Sequence, residues 1–592
     1  MREGRRALRL PPRDLAGAAA LLCALGPLSP ARAQQPPAPP LTERVPQVPA
    51  AIPRPPTPPA PPPSVAPPIP SPAPLTPGPT PAVNVTIRSV TVSGATVLPQ
   101  AELQARVAGL VGPSVPLARV ESARVDLLNA YRSAGYVLTT VTAVIDNAGN
   151  LRFVIVEGRI VDVKLDGDIG PAGVQVLRFL NHLTELPAVD TASLERWLLL
   201  ANDIPGVTVH AVLRPSPTDP GALTLIAQVS RQEVSALASV DNRAYNQTGP
   251  IELLTIVDLN SFTQFGERTE LSFYNTEHNT QDFGTVTEEF FVGGSGLKVR
   301  LYAGYGTSNP SGYLGAIGYQ GRTAVGGLSA SYPVIRSREQ NLSISAYLDI
   351  EQSQIFTAPS GSSTRAGADN IQVGRVGANY NRQDVLVGDT RPALNTAAFT
   401  ISQGLPFLGG TQSGSSTATR VNEDTGFIKI AGELVRTQTL FSPWNDASVA
   451  LKLLLTGQYS GDILPPVEKF YLGGSQYTRG YYAGEATGDS ALAATAELDL
   501  NTPYDTVLFG HALSMRAQWY MFYDWGEAWQ NSSLEQNFHL SSEGIGMRLA
   551  ITRYAEFDLE GDIRNSRLPE GTPGAVKPIP AEAGYWGVLV RY

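Results

Sequence analysis

Residues 513–526 read Leu513-Ser514-Met515-Arg516-Ala517-Gln518-Trp519-Tyr520-Met521-Phe522-Tyr523-Asp524-Trp525-Gly526. Counting by twos separates two faces. One carries Ser514, Arg516, Gln518, Tyr520, Phe522 and Asp524; the other carries Leu513, Met515, Ala517, Trp519, Met521, Tyr523 and Trp525. A period of two marks a strand whose successive side chains point to opposite sides. Both ions lie on the first face. After the N-terminal 33 residues no segment approaches 18 uninterrupted apolar residues, so no membrane helix is expected. The remaining way to span a bilayer is a closed barrel, in which neighbouring strands satisfy every backbone group. An Arg near the midplane on the lipid side would cost about 2–4 kcal/mol. The face with Arg516 and Asp524 therefore turns to an aqueous lumen.

The same reading extends over residues 234–592. Leu297, Val299, Leu301, Ala303 and Tyr305 alternate with Lys298, Arg300, Tyr302 and Gly304. Leu342, Ile344, Ala346, Leu348 and Ile350 alternate with Ser343, Ser345, Tyr347 and Asp349. Val449, Leu451, Leu453 and Leu455 alternate with Ala450, Lys452, Leu454 and Thr456. Glu497 and Asp499 point inward by the same rule, opposite Leu498 and Leu500. Clusters of Gly, Ser, Asn and Thr separate these segments, and no amphipathic helix interrupts them. A soluble half-buried sheet shows similar alternation; length, the missing helices and a secretory N-terminus favour the barrel. The 359 residues of 234–592, at roughly 22 residues per strand and connection, give about 16 antiparallel strands. Trp586, Val588, Val590 and Tyr592 share one face at the end, as in the terminal strand of an outer-membrane barrel.

The N-terminus reads as a signal peptide over 1–33. Arg2, Arg5, Arg6, Arg9 and Arg13 form a basic region, Leu15 to Leu25 a short apolar stretch, and Ala31-Arg32-Ala33 a small-x-small cleavage site. Cys23 is the only cysteine, so the mature chain would have no disulfide and no thiol chemistry. Removing residues 1–33, which hold six Arg and two acidic residues, moves the net charge from −9 to −13. That balance argues against nucleic acid as a partner, since a phosphate binder needs a basic patch. Residues 34–83 hold 22 of the 49 prolines and read as a semi-rigid polyproline spacer.

Ordinary composition begins at 84. Val85, Ile87, Val90 and Val92 suggest a strand ending at Ser93-Gly94, and a short helix starts at Pro99 and Glu102-Leu103. A second helix follows Pro116, with Val120, Leu127, Leu128 and Tyr131 on one face, and ends at Gly135. Two strands flank the turn at 146–150. The order over 84–160 is β-α-α-β-β. A looser copy spans 161–233: a strand at Val161–Leu165, helices near Val174–Leu180 and Leu194–Leu200, then strands Val207–Leu213 and Leu223–Val229.

No catalytic constellation appears. His182, His210, His278, His511 and His539 are scattered without metal-ligand spacing. There is no Gly-x-Ser-x-Gly elbow and no P-loop. An enzyme, a metal and a cofactor are therefore not expected.

Two short motifs remain. Tyr477-Thr478-Arg479-Gly480-Tyr481 lies in a Gly-rich stretch, 471–490, between strands 449–459 and 492–500. The stretch is long for a hairpin and has room to fold inward. Phe522, Asp524 and Gly526 follow on the strand quoted first. Together the two motifs resemble the paired signature of two-partner secretion transporters, the haemolysin secretion/activation family of outer-membrane barrels. Ala130-Tyr131-Arg132, Gly135-Tyr136 and Val156-Glu157-Gly158-Arg159-Ile160 resemble that family's first POTRA domain, and residues 199–206 resemble its second. Ser239-Val240-Asp241-Asn242 with Thr248-Gly249 resembles its first barrel strand and turn, and Ser331 to Arg338 a mid-barrel strand entry.

The resemblance implies periplasmic α+β POTRA domains followed by an all-β transmembrane barrel in a Gram-negative outer membrane. It implies capture of a cognate secreted passenger by the POTRA domains and its passage through a barrel gated by the inward loop, driven by passenger folding and not by nucleotide. Outer-membrane lipid and the barrel assembly machinery are the other implied partners. A barrel-assembly insertase and a diffusion porin with periplasmic domains are the alternatives. The family places the Arg-Gly-Tyr tip inside the barrel against the wall bearing Phe-x-Asp-x-Gly, so Arg479 and Asp524 form the expected latch. An Arg can grip a carboxylate with two prongs, and Gly480 lets the backbone approach the wall. Tyr477, Tyr481 and Tyr482 are expected to pack on Phe522. Such a pair is worth about 1 kcal/mol in a wet lumen, and losing one partner costs roughly 3–5 kcal/mol if it is shielded. A solvent-exposed arginine in an outer loop is the alternative. Two departures stand out: the family usually has Val or Ile at 478, and many members carry a plugging helix before the POTRA domains, where prolines here leave no candidate.

Overall fold

The structure is a computed structural model that describes residues 75, 76, 78 and 83–592, apart from 359–361, 389, 509–510 and 571–576. The expected signal peptide and nearly all of the proline-rich spacer, where a plugging helix would sit, lie outside the described residues.

The first α/β module contains strands Asn84–Ile87 and Ser89–Ser93, helix Gln100–Val107, strand Gly112–Pro116, helix Leu117–Ser133 and strands Thr140–Ile145 and Asn150–Val156. Ser89–Ser93 lies parallel to Asn150–Val156, with Thr140–Ile145 on the other side. One element goes beyond the sequence reading: Gly112–Pro116 pairs antiparallel with Asn84–Ile87. The stripe Val120, Leu127, Leu128 and Tyr131 enters one core with Leu103, Val107, Leu151 and Phe153. That stripe follows from helical spacing, which returns a side chain to the same face every three to four residues.

The second module repeats the plan: strand Arg159–Asp166, helices Ala172–Leu180 and Thr191–Asn202, and strands Val207–Pro215 and Ala222–Arg231. Asp190 caps the second helix by accepting from the Ser193 N–H at 2.8 Å. Its core includes Phe179, Leu180, Leu200 and Leu225.

Sixteen antiparallel strands close a barrel, as the segment length predicts. They are β1 (Val234–Asp241), β2 (Glu252–Asn260), β3 (Arg268–Thr276), β4 (Gln281–Val292), β5 (Leu297–Ser308) and β6 (Gln320–Arg336). Next come β7 (Gln340–Thr357), β8 (Thr364–Asp384), β9 (Ala393–Gly404), β10 (Ile428–Phe441) and β11 (Ser448–Ser460). The last are β12 (Ser490–Leu508), β13 (His511–Trp529), β14 (Phe538–Thr552), β15 (Ala555–Arg564) and β16 (Glu582–Arg591). β16 returns to β1, pairing Gly587–Arg591 with Asp241–Leu237. Above that seam the Asn242 side chain stands in for a ladder residue. It accepts from the Trp586 N–H at 2.8 Å and donates to the Gly584 carbonyl at 3.0 Å.

Alternation holds through the wall. On β13, Gln518, Tyr520, Phe522 and Asp524 are buried while Trp519, Met521 and Tyr523 are exposed; Arg516, nearer the modules, is exposed too. On the outer face Leu301, Tyr305, Ile344, Leu348, Leu453, Leu455 and Leu498 are exposed, a surface that suits lipid. Connections on the module side are short, such as 293–296, 337–339 and 553–554, while those opposite run longer, at 405–427 and 461–489. The stretch Ser331 to Arg338 is the end of β6 and its turn, an exit from a strand instead of an entry. Pro333 sits where the register shifts, the bulge position a proline tolerates.

The second module is fixed to this base. Phe291 leaves the end of β4 and joins the module core, its ring 5.2 Å from that of Phe179 at 85°. Arg336 holds Asp203 with two prongs at 2.6 and 2.8 Å, and the Gln175 amide donates to the Gly293 carbonyl at 2.9 Å.

Candidate functional site in the barrel lumen

The connection between β11 and β12 turns inward. A small hairpin, Phe470–Leu472 against Ala486–Gly488, carries it down, and residues 473–485 form its tip. The inward segment thus begins earlier than the stretch 471–490 suggests, because Pro466–Glu468 already contacts the wall. Tyr481 packs with Leu472, Ala486, Ala493, Ala528 and Leu540, so apolar burial seats the hairpin against β12 to β14.

Arg479 stands at the tip. Its guanidinium grips Asp524 with two prongs, Nε to Oδ2 at 3.0 Å and Nη2 to Oδ1 at 3.0 Å. Its own backbone N–H donates to Asp524 Oδ2 at 2.8 Å. Nη1 bonds Glu497 on β12, and Arg548 on β14 donates to the same carboxylate at 2.9 Å. The Arg479 guanidinium carbon lies 3.6 Å from the centre of the Phe522 ring, a cation–π stack. Side-chain exposure is 5% for Arg479 and 0% for Asp524. The contact therefore belongs with shielded pairs, where losing one partner costs roughly 3–5 kcal/mol.

Glycines set the fit. A Cβ at Gly480 would stand 2.7 Å from Ser542 Cβ, and one at Gly526 would stand 2.9 Å from Thr478 Cγ2. The Gly480 N–H donates to Ser542 Oγ at 3.2 Å, and its carbonyl accepts from Arg564 and from the Tyr585 hydroxyl at 3.1 Å. Thr478 has φ of +54°, rare for a β-branched residue. Its hydroxyl accepts from the Gly473 N–H at 2.8 Å and donates to the Tyr477 carbonyl at 2.6 Å. A Val or Ile could make neither bond, which gives the departure at 478 a physical reason.

A family model described as haemolysin secretion/activation protein ShlB/FhaC/HecB matches residues 223–549, more than half of the chain. The chain belongs to the haemolysin secretion/activation family. A ShlB-type POTRA model matches residues 85–158, all of the first module but its opening residue. The chain is similar to the heme/hemopexin transporter protein HuxB of Haemophilus influenzae strain 86-028NP, 22% identical over 460 residues, covering 74% of this chain and 76% of that one. HuxB of strain KW20 / Rd is 20% identical over 463 residues, with the same coverage. The fold is similar to CdiB from Escherichia coli, with a TM-score of 0.66, 16% identity, and coverage of 88% of this chain and 92% of that one. CdiB from Acinetobacter baumannii gives 0.58, 17%, 86% and 90%. The chain is thus an outer-membrane transporter of the two-partner secretion type with periplasmic POTRA domains, not an insertase or a porin.

The lumen of this haemolysin secretion/activation barrel differs from expectation in two ways. The tyrosines do not cover Phe522, because Arg479 already occupies its face and Tyr520 stacks beside it. Tyr477 instead stacks on Phe470 at 5.6 Å and donates to Glu433 at 2.6 Å, while Tyr482 meets Tyr585 edge-on at 6.4 Å. The second difference is that the Arg479–Asp524 contact has a third member. Glu497 was expected to face the lumen, but its sharing between Arg479 and Arg548 depends on β12, β13 and β14 lying side by side.

A rim cluster lies above the tip. Arg420, from the connection 405–427, grips Asp489 at 2.5 and 2.9 Å and Glu535 at 2.6 and 2.7 Å. Below the tip a cavity of about 740 Å³ reaches into the module-side halves of β10, β11, β14 and β15, roofed by Gln476, Tyr477 and Arg479.

Proposed function

We infer that the inward loop is the gate of this transporter and that Arg479, Asp524 and Glu497 hold it shut. The observation that carries the reading is the two-pronged, buried grip of Arg479 on Asp524 at the tip of a loop lying inside the barrel. Shifting the loop separates the charges but also admits water to them, so the cost of unpairing falls as the gate opens. A buried ion pair suits such a device because it is strong while dry and weak once wet.

The passenger, a secreted protein, first meets the POTRA domains. Thr140–Ile145 and Val207–Pro215 are edge strands of their sheets and expose Val144 and Val212, so a passenger segment can add to an edge as an extra strand. It then enters the cavity beneath the tip and displaces the loop. Folding outside the cell supplies direction without nucleotide.

Arg479→Ala and Asp524→Arg test the gate. Both should raise channel conductance in bilayers without passenger and slow passenger release from cells, with insertion checked by heat-modifiable migration. Normal conductance and release in both variants, with normal insertion, would end this reading.

A further inference from the structure

The loop is held at its foot as well as at its tip. Glu468 closes the turn Pro466–Glu468 just before the hairpin, and its side chain is 5% exposed. Arg375 on β8 grips its carboxylate with two prongs, Nη2 to Oε1 at 2.6 Å and Nη1 to Oε2 at 3.0 Å. Lys429 on β10 places Nζ 2.5 Å from Oε2 and donates to the Glu468 carbonyl at 2.9 Å. The Gln458 amide on β11 donates to that carbonyl at 3.0 Å. Arg375 is itself held by Asp349 on β7 at 2.7 Å and Ser402 on β9 at 3.1 Å.

Three strands, β8, β10 and β11, thus bond one loop residue, and β7 and β9 brace the arginine that grips it. Arg479 at the tip uses a different wall, β12 and β13, and the opposite polarity: a cation on the loop meets acids on the wall. At the foot an acid on the loop meets cations on the wall. The paired strands 470–472 and 486–488 form a short stiff lever between foot and tip. Breaking the tip contact leaves the foot with all of its bonds, because none of its partners touches Arg479.

We propose that Glu468 is a positioning residue, a fixed foot about which the loop swings inside the lumen, so that releasing Arg479 opens a passage beside the loop without expelling it from the barrel. The inference rests on the gate reading above. It explains why the foot contacts are made by both the side chain and the backbone carbonyl of one residue. Tethering by two groups fixes the position of Glu468 against translation, while the hairpin beyond it is left to swing.

The test places a cysteine at the exposed tip residue, Gln476→Cys, and applies a bulky membrane-impermeant maleimide from outside the cell. In Arg479→Ala alone the cysteine should stay unreactive although conductance rises. Adding Glu468→Gln should speed labelling about a hundredfold, the lower end of what losing one partner of a buried pair implies. Equal labelling in single and double variants, whether both slow or both fast, would overturn the foot. If Glu468→Gln does not assemble, Lys429→Met removes one of its two cations and should give an intermediate rate; a rate equal to that of Arg479→Ala alone would also overturn it. Unchanged conductance in Arg479→Ala is a separate result that removes the gate reading itself.

Discussion

The first POTRA module and the barrel lumen both bury carboxylates, but they satisfy them by different means. In the module Glu157 accepts from the Thr96 N–H at 2.9 Å, from the Val97 N–H at 3.2 Å, from the Thr96 hydroxyl and from the Tyr131 hydroxyl at 2.7 Å. All of these donors are neutral, and they tie the loop after the first sheet strand to the long helix. In the lumen Asp524 and Glu497 meet guanidinium groups, one of them carried by the inward loop, which the gate reading requires to move. Neutral donors within a packed core make a permanent staple, because water reaches the site only by unfolding. Charged partners on facing surfaces make a contact that water can dissolve and the loop can remake.

The largest effect expected from that contrast is at the latch. Asp524→Ala should cost roughly 3–5 kcal/mol of loop seating, read as faster hydrogen exchange at the amides of 473–485 with the strands still protected. A uniform rise across the barrel would mean that the pair holds the whole wall and not the loop. Next in size is the outer face: Leu498→Arg should lower barrel stability by about 2–4 kcal/mol in lipid, measured by denaturant titration in vesicles.

The module staple comes third. Glu157→Ala should destabilise the module by about 1–3 kcal/mol through donors left unpaired, seen as a lower melting transition of the periplasmic part. Its pH dependence has a definite sign. Burial pushes the Glu157 carboxyl up, but the bonds from Thr96, Tyr131 and Val97 outweigh it and hold the group below its ordinary value. A depressed folded pKa stabilises fully above the unfolded value, about 4.3, and is lost as pH falls through the folded one. The transition should be flat from neutrality to about pH 5 and fall below that, and the fall should flatten in Glu157→Gln. Tyr131 is shifted upward, by burial first and then by its bond to Glu157, so its hydroxyl stays protonated and donating throughout. The smallest effect is Thr478→Val, about 1 kcal/mol for the lost hydroxyl bonds, measured by the same exchange at the tip.

Much of this architecture was legible because alternation and ions restrict one another. Arg516 and Asp524 share a face, so the register of β13 had one acceptable solution, and a similar argument turned Glu497 inward. Helical spacing gave the module core through Val120, Leu127, Leu128 and Tyr131. The paired motif gave Arg479 and Asp524 by resemblance, not by physics. What the residues could not reveal are contacts made only when the sheet closes. Arg375 and Glu468 are 93 residues apart, and Arg420 and Glu535 are 115 apart. Each looks like an ordinary surface ion until the connection between β11 and β12 folds in against β8, or two rim connections come together. The strand Gly112–Pro116 was hidden for another reason: Gly and two prolines disguise a pairing whose role is to cover Asn84–Ile87. The positive φ at Thr478 breaks the preference of a β-branched residue, and such exceptions concentrate where a backbone must make a particular turn.

The central claim is that the tip must leave the β13 wall for a passenger to cross. Thr478→Cys with Gly526→Cys tests it, since a Cβ at 526 would lie 2.9 Å from Thr478 Cγ2 and a disulfide sets its Cβ atoms about 3.8 Å apart. Passenger release by cells carrying the double variant should stop under oxidising conditions and recover on reduction to the level of the Gly526→Cys single variant, whose release should not depend on oxidation. Undiminished release while the disulfide is fully formed would contradict the account.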